Sequence, residues 1–305
     1  MKNKLSDILD RKKIFKLVLG LGNQDLESID SLVQIYAKSG ADMFDINPSE
    51  KSVKRVFSAI KKAGKNIEDF SYSISFGLSG DTHIQKCIID EKKCKKCFKC
   101  IKKCPQNAIF EGNGHVKVAT EKCIGCKKCD DCKAISFCDN NIAVENVVAI
   151  AEKYKIDCIE IHLSTKKIPD EEIKYVLKNF GGMLSVCLDR KFYSNERLKK
   201  LINKIVKWNK SSNFIIQADG VPMSGAEDSY KSTLQAVAMA QLVEKYGTYI
   251  LMSGGTNSKT ADLAQMCGIR YNGISVGSFA RKIVKGCNLD EALCVAKKLV
   301  AMCKK

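Results

Sequence analysis

Cys94-x2-Cys97-x2-Cys100-x3-Cys104-Pro105 sets four thiols on one short stretch of chain, and the last of them stands before a proline. Three thiolates at this spacing wrap a loop around one iron–sulfur cubane. The fourth, carried away by the proline, reaches the other cluster in two-cluster proteins. Zinc is the rival for paired Cys-x2-Cys units, but four cysteines ending in Cys-Pro favour iron–sulfur. A second run, Cys123-x2-Cys126-x2-Cys129, follows. Regular spacing puts its fourth ligand at 133, where the chain has Lys133. Cys132 is one residue short, and Cys138 comes after a longer insertion. The Asp-Asn-Asn-Ile after Cys138 resembles the context after Cys104, so Cys138 is preferred, with Cys132 as the alternative. Crossed ligation then assigns Cys94, Cys97, Cys100 and Cys138 to one [4Fe–4S] cluster, and Cys123, Cys126, Cys129 and Cys104 to another. Cys87 precedes the cassette and is read as a non-ligand.

The chain has 16 cysteines in 305 residues. Disulfide-dense chains are usually short and secreted, so metal is the better reading. Cys158, Cys187, Cys267, Cys287, Cys294 and Cys303 lie scattered in apolar stretches and are expected to be small buried hydrophobes. The net charge of +17 invites a nucleic-acid partner. The lysines, however, are spread along helical faces with no Arg-rich run and little aromatic interleaving, which argues against one. Lys92, Lys93, Lys95, Lys96, Lys99, Lys102 and Lys103 crowd the cassette. They would offset the negative charge of a thiolate-bound cluster, dock an acidic redox partner, or form a solvated face. No apolar run is long enough for a membrane span. Residues 1–13 lack the apolar segment of a signal peptide, so a cytoplasmic location is expected.

These cysteines need a scaffold. Outside them, apolar β-rich runs alternate with helical patterns. Strands are predicted at 15–19, 43–46, 70–75, 158–162, 183–188, 213–217, 249–252 and 273–276. Helices are predicted at 26–39, 52–63, 143–154, 170–179, 195–208, 233–246, 260–266 and 290–302. Eight βα units with apolar strands imply a parallel, covered sheet, closed as a (β/α)8 TIM-like barrel, with an open doubly wound sheet as the alternative. The cassette replaces the loop after strand three as an inserted ferredoxin-like domain. The expected division is 1–86 barrel, 87–141 insertion and 142–305 barrel. In a barrel that loop lies on the C-terminal face, where active sites are built.

Polar residues and glycines gather at the predicted C-terminal strand ends. Asn23, Asp45, His162, Asp189 and Asp219 are the candidates for acid–base or substrate-binding roles. The carboxylates among them also suit helix N-caps, and a lone barrel histidine is often a hydrogen-bonded core residue. Gly254, Gly255, Thr256, Gly277, Ser278 and Arg281 form the candidate phosphate site. Glycines let backbone N–H groups approach an anion, and an arginine adds a charge-assisted contact. FMN, a sugar phosphate or another phosphorylated ligand would fit. The competing reading is that the glycines are ordinary turn residues.

Longer motifs carry a resemblance. Gly22-Asn-Gln-Asp25, Leu32, Tyr36 and the stretch 41–46 resemble the opening of LdpA-type iron–sulfur proteins. The stretch 217–225, Gly254-Gly-Thr-Asn257 and Gly277-Ser-Phe-Ala-Arg-Lys282 are similar to that family's C-terminal signatures. The resemblance spans nearly the whole chain, with the cassette in the same place, and departs from the family at the second cysteine run. It implies two [4Fe–4S] clusters and redox sensing or electron transfer. Clock input, the role associated with such proteins in photosynthetic bacteria, does not transfer on similarity alone.

Two functions follow from the sequence. One is an oxidoreductase whose clusters pass electrons to a phosphate-bearing ligand on the barrel face. The other is a redox-sensing regulatory or electron-transfer protein without catalysis of its own.

Overall fold

The computed structural model describes residues 4–164, 168–190, 193–210, 213–220 and 227–305. A short helix, α1 (Lys4–Arg11), leads into β1 (Ile14–Val18), α2 (Leu26–Lys38), β2 (Met43–Ile46), α3 (Glu50–Lys62) and β3 (Ser71–Gly77). The chain then makes an excursion through β4 (Gln85–Ile89), α4 (Lys99–Lys103), β5 (Ile109–Gly112), β6 (His115–Val118) and β7 (Ile135–Asp139). It returns through α5 (Val144–Lys153), β8 (Cys158–His162), α6 (Asp170–Asn179), β9 (Met183–Leu188), α7 (Asn195–Asn209) and β10 (Ile215–Asp219). The last elements are α8 (Tyr230–Val243), β11 (Tyr249–Ser253), α9 (Thr260–Met266), β12 (Gly273–Val276), α10 (Ser278–Val284) and α11 (Leu289–Cys303).

Eight parallel strands close into a barrel in the order β1-β12-β11-β10-β9-β8-β3-β2. Parallel neighbours need crossovers that return over the sheet, and the helices supply them on the outside. Phe15, Tyr36, Phe44, Val56, Val176, Ile205, Val237 and Val300 belong to the apolar shell between strands and helices. This is a TIM-type α/β barrel. None of its described helices is long and apolar enough to cross a membrane.

The excursion has its own small core, in which Cys87, Ala108, Ile109, Val116, Cys123 and Cys129 pack with Ile135 and Phe137. It starts before the expected boundary at 87, because β4 pairs antiparallel with β7 from Gln85↔Asp139 to Ile89↔Ile135. Two glycines let it approach the barrel. A Cβ on Gly22 would lie 2.6 Å from the His83 carbonyl oxygen, and one on Gly125 would lie 2.4 Å from that of Thr82. The buried Lys86 ammonium ties the two parts by donating to the carbonyls of Gly22 (2.5 Å) and Cys123 (2.6 Å).

Three details differ from the sequence reading. Residues 1–13 contain α1, whose Leu5 and Leu9, spaced i and i+4, plug the barrel's lower end against Ile14, Met43, Cys158, Met183, Ile215 and Leu251. The sixth barrel strand lies two residues later than 213–217, which puts Gln217 inside the barrel and Asp219 at the strand end. Of the six scattered cysteines, Cys158, Cys187 and Cys303 are buried, whereas Cys267 and Cys294 are exposed and Cys287 is half-buried.

Candidate functional site

Side chains alternate across a strand, so each barrel strand sends every second residue inward. Above the apolar plug these inward positions are polar. Lys16 Nζ lies 2.7 Å from Glu160 Oε2, 3.0 Å from Gln217 Oε1 and 3.4 Å from Asp45 Oδ1. Ser73 donates to Asp45 (2.6 Å), as does Ser75. Ser185 donates to Glu160 (2.9 Å) and Ser275 to Gln217 (2.9 Å). All of these residues are buried. Burial would lower the Lys16 pKa, but Asp45 and Glu160 beside it outweigh that and raise it. Burial holds Asp45 above the usual carboxylate range. Glu160 feels the same burial, but Lys16 and His162 overcome it and hold it below that range.

Over this polar layer the barrel mouth holds a pocket of about 850 Å³, including its open side. Asn23, Asp45, His83, His162, Gln217, Asp219, Ser253, the 254–256 loop, Gly277, Ser278 and Arg281 line it, and so does Ile124, from between two cysteines of the second run. Of the five candidate acid–base residues, the structure brings Asn23, Asp45, His162 and Asp219 to this pocket. Asp189 is buried nearby, accepts from the Ser164 hydroxyl, and is not part of the lining. Asn23 is occupied with its loop, donating to the Leu19 carbonyl (3.1 Å) and accepting from the Asp25 N–H (3.1 Å).

His162 is the best-placed titratable group. Burial would lower its pKa, but Glu160 and Asp81 outweigh it and raise it to about 9. Asp219 goes the other way for an acid. Burial raises it to about 6, although His83 and His162 pull it down. Its Oδ1 has no hydrogen-bond partner among the described residues, and its Oδ2 accepts from the Cys187 thiol at 3.4 Å. A Cβ on Gly254 (φ +70°) would sit 1.7 Å from that Oδ1, so a glycine is required there.

This gives a pH prediction. Below 3.8 both the folded and the unfolded chain hold the Asp219 proton. Between 3.8 and about 6 only the folded chain keeps it, so stability falls as pH rises through that window. A difference of this size corresponds to about 3 kcal/mol. Asp219→Asn is therefore expected to raise the unfolding free energy by up to about 3 kcal/mol at pH 8 and to change it little near pH 4. Denaturant melts at the two pH values check this. An equal effect at both would show that charge at Asp219 is not the cause.

All six candidate phosphate residues line the pocket. Gly254 and Gly255 both have positive φ (70° and 84°), a conformation glycine adopts freely. Asn257 anchors their loop through its side-chain amide, which donates to the Glu227 and Ser229 carbonyls (2.9 Å each). Thr256 is turned away, its hydroxyl donating to the Ser275 carbonyl (2.6 Å). Arg281 is held under the β1 end by the Leu19 carbonyl (2.8 Å), and its Nε has no hydrogen-bond partner among the described residues. Residues 221–226 of the 217–225 motif lie outside the described residues.

The cysteines fall into two groups. Cys104, Cys123, Cys126 and Cys129 line one cavity of about 330 Å³ together with Cys87, Pro105, Ala108 and Phe137. Backbone N–H groups point at the sulfurs: that of Ala108 to Cys104 Sγ (3.2 Å) and that of Cys87 to Cys123 Sγ (3.3 Å). The Cys100 thiol pKa is raised by burial first and then by the neighbouring thiols of Cys94 and Cys132. Cys138 is placed elsewhere. Ile135 and Phe137 pack into the cysteine core, so alternation turns Cys138 to the opposite face of β7. There it stands opposite Lys86 and is exposed. Cys87, read as a non-ligand outside the cassette, has its Sγ 4.0 Å from that of Cys129.

Fold and site together define a (β/α)8 barrel whose mouth is walled on one side by a cysteine-rich excursion. Residues 150–299, from within α5 into α11, match the family model described as the Light dependent period A C-terminal domain. No curated protein matches the chain. Among solved structures, a mandelate oxidase mutant with the monooxide FMN adduct is similar over 99% of this chain and 79% of that one, at 10% identity and a TM-score of 0.53. A 3-hexulose-6-phosphate synthase is similar over 95% and 99%, at 13% identity and 0.50. A truncated 3-deoxy-D-arabino-heptulosonate 7-phosphate synthase from Thermotoga maritima is similar over 95% and 85%, at 10% identity and 0.51. At such identities the likeness is one of fold.

Proposed function

We propose that this chain is an iron–sulfur oxidoreductase that binds a phosphate-bearing ligand in the barrel-mouth pocket. The observation that carries the reading is the position of Ile124. It sits between Cys123 and Cys126 and lines the same pocket as His162, Asp219 and the 254–256 loop. Ile124 also lines the cavity of Cys104, Cys123, Cys126 and Cys129, so the pocket and that cavity share a wall. Cys104, Cys123, Cys126 and Cys129 suit the nearer [4Fe–4S] cluster, since four soft thiols line one cavity with N–H donors aimed at two of the sulfurs. Cys94, Cys97, Cys100 and Cys132 would hold the second, Cys94 and Cys132 both lying near enough to raise the Cys100 thiol pKa. When bound, such clusters supply electrons one at a time.

The chain's own groups do the rest. The N–H groups of the 254–256 loop and of Gly277 and Ser278 would hold the phosphate, with Arg281 behind them. FMN and sugar phosphates both suit this geometry, and the mandelate oxidase mutant of similar fold carries an FMN adduct. His162 and Asp219 offer a proton donor and a proton acceptor near neutral pH. The lysines of the cassette would dock an acidic redox partner.

The test is anaerobic purification followed by iron and sulfide counts, an absorption spectrum and mass spectrometry of released small molecules. About eight irons with a bound flavin or sugar phosphate are expected. Zinc in place of iron, or no affinity for any phosphorylated ligand, would overturn the enzyme reading. The match to the Light dependent period A domain favours a second reading, redox sensing. Partner capture that differs between oxidised and reduced protein, with nothing bound in the pocket, would select it.

A further inference from the structure

Two histidines and an aspartate meet where β8 ends and the excursion begins, and neither the phosphate site nor the cysteines use them fully. Asp81, His83 and His162 each bring one donor atom within 4.8 Å of the other two. His83 Nδ1 lies 2.7 Å from Asp81 Oδ1, and the two imidazole rings face each other at 5.0 Å between centroids. Asp81 is fully buried and His162 is 8% exposed. Two of their polar atoms are idle. Asp81 Oδ2 and His162 Nδ1 have no hydrogen-bond partner among the described residues. They lie 3.9 Å apart, too far for a hydrogen bond. Buried polar atoms are rarely left so. A carboxylate oxygen and an imidazole nitrogen facing each other across that gap are two ligand atoms a bound cation would join.

We propose that Asp81, His83 and His162 form a mononuclear site for a divalent transition-metal ion of the zinc or ferrous-iron kind, opening into the barrel-mouth pocket. Two imidazoles and one carboxylate suit such ions better than magnesium or calcium, which prefer oxygen donors. The outer contacts match those of metal-bound histidines. His162 Nε2 lies 3.4 Å from the buried Glu160 Oε1, which would accept from its N–H, and the ion would displace the proton from Nδ1, taking the place of His162 as proton donor. Glu160 is itself committed to Lys16, Gln217 and Ser185, so it supports the site and does not ligate. His83 and His162 line the pocket, as does Asp219 with its idle Oδ1. The remaining coordination positions therefore face the place where a ligand would lie. The site needs neither cluster to be present, so it stands or falls apart from the iron–sulfur reading.

The test uses the full chain, purified without oxygen and dialysed against EDTA. Zn²⁺ binding is measured by equilibrium dialysis, with zinc and iron counted separately. One zinc per chain is expected beyond the cluster iron. His83→Gln and His162→Asn should weaken it about 100-fold or more, and His115→Ala, in the β5–β6 hairpin, should not. No such zinc, or equal affinity in both variants, would overturn the proposal. A second measurement needs no variant. Zn²⁺ should protect His83 and His162, and not His115, from diethyl pyrocarbonate, mapped by mass spectrometry. Equal modification of all three with and without zinc would also overturn it.

Discussion

Lys16→Met is expected to cost about 3–5 kcal/mol of stability, because it removes one partner of a buried ionic cluster and leaves the others. Lys16 sits inside the barrel with no solvent to replace it, and its Nζ lies 2.7 Å from Glu160 Oε2. Without it, Glu160 keeps hydrogen bonds from Ser185 and Gln217, and Asp45 keeps those from Ser73 and Ser75. Those are neutral donors facing one or two buried negative charges. In a chain of this size the loss corresponds to a fall of roughly 5–8 °C in melting temperature. The double variant Lys16→Met with Glu160→Gln should recover part of it, since the stranded charge is then gone. Thermal melts of the three proteins decide. A Lys16→Met melt within about 2 °C of the parent would mean that the ammonium is not what neutralises the barrel interior.

The same layer marks where the sequence was hard to read. The strand pattern revealed eight βα units, because apolar runs of the right length alternated with helical periodicity. Lys16 is the second residue of the predicted strand 15–19, between Phe15 and Leu17, and was not among the candidates. Read with a period of two, Lys16, Asp45, Ser73, Glu160, Ser185, Gln217 and Ser275 are one inward-facing set, and that alternation was the signal to use. Asp45 was singled out as a strand-end acid, yet it belongs to this layer as much as to the pocket above it. His83 was missed for a different reason. It lies in the turn between β3 and β4, and only the fold brings it to the face of His162. Arg281 was legible by type but not by posture, because its hold on the Leu19 carbonyl depends on where β1 ends.

Several residues of the family-like motifs have plain structural work. Tyr36 stacks on Phe15 at 5.6 Å and donates to the Ala280 carbonyl (2.8 Å), which joins the opening motif to the 277–282 motif. Asp42 accepts from the Phe15 N–H (2.9 Å). Gly22 is needed where the excursion presses on the barrel. Much of the resemblance thus records how the barrel closes and how the cysteine-rich segment docks. The chemistry is set by the few side chains those contacts bring together.

The period of two bears on the choice between Cys132 and Cys138. Both follow Cys129 at an irregular distance, so counting residues could not separate them. The register of strand β7 gives a prediction. With Ile135 and Phe137 in the cysteine core, alternation turns Cys138 away from it, while Cys132 precedes the strand and is close enough to Cys100 to raise its thiol pKa. Cys132→Ala is therefore expected to lower the iron content from about eight to about four per chain, and Cys138→Ala to leave it unchanged. Losing a thiolate removes a ligand that no nearby group replaces, because Cys87, the spare buried thiol, lies against Cys129 on the other cavity. Iron and sulfide counts on both variants, purified without oxygen, decide the matter. The reverse pattern would mean that β7 detaches or twists to deliver Cys138, and that the segment 130–139 rearranges when its cluster is built.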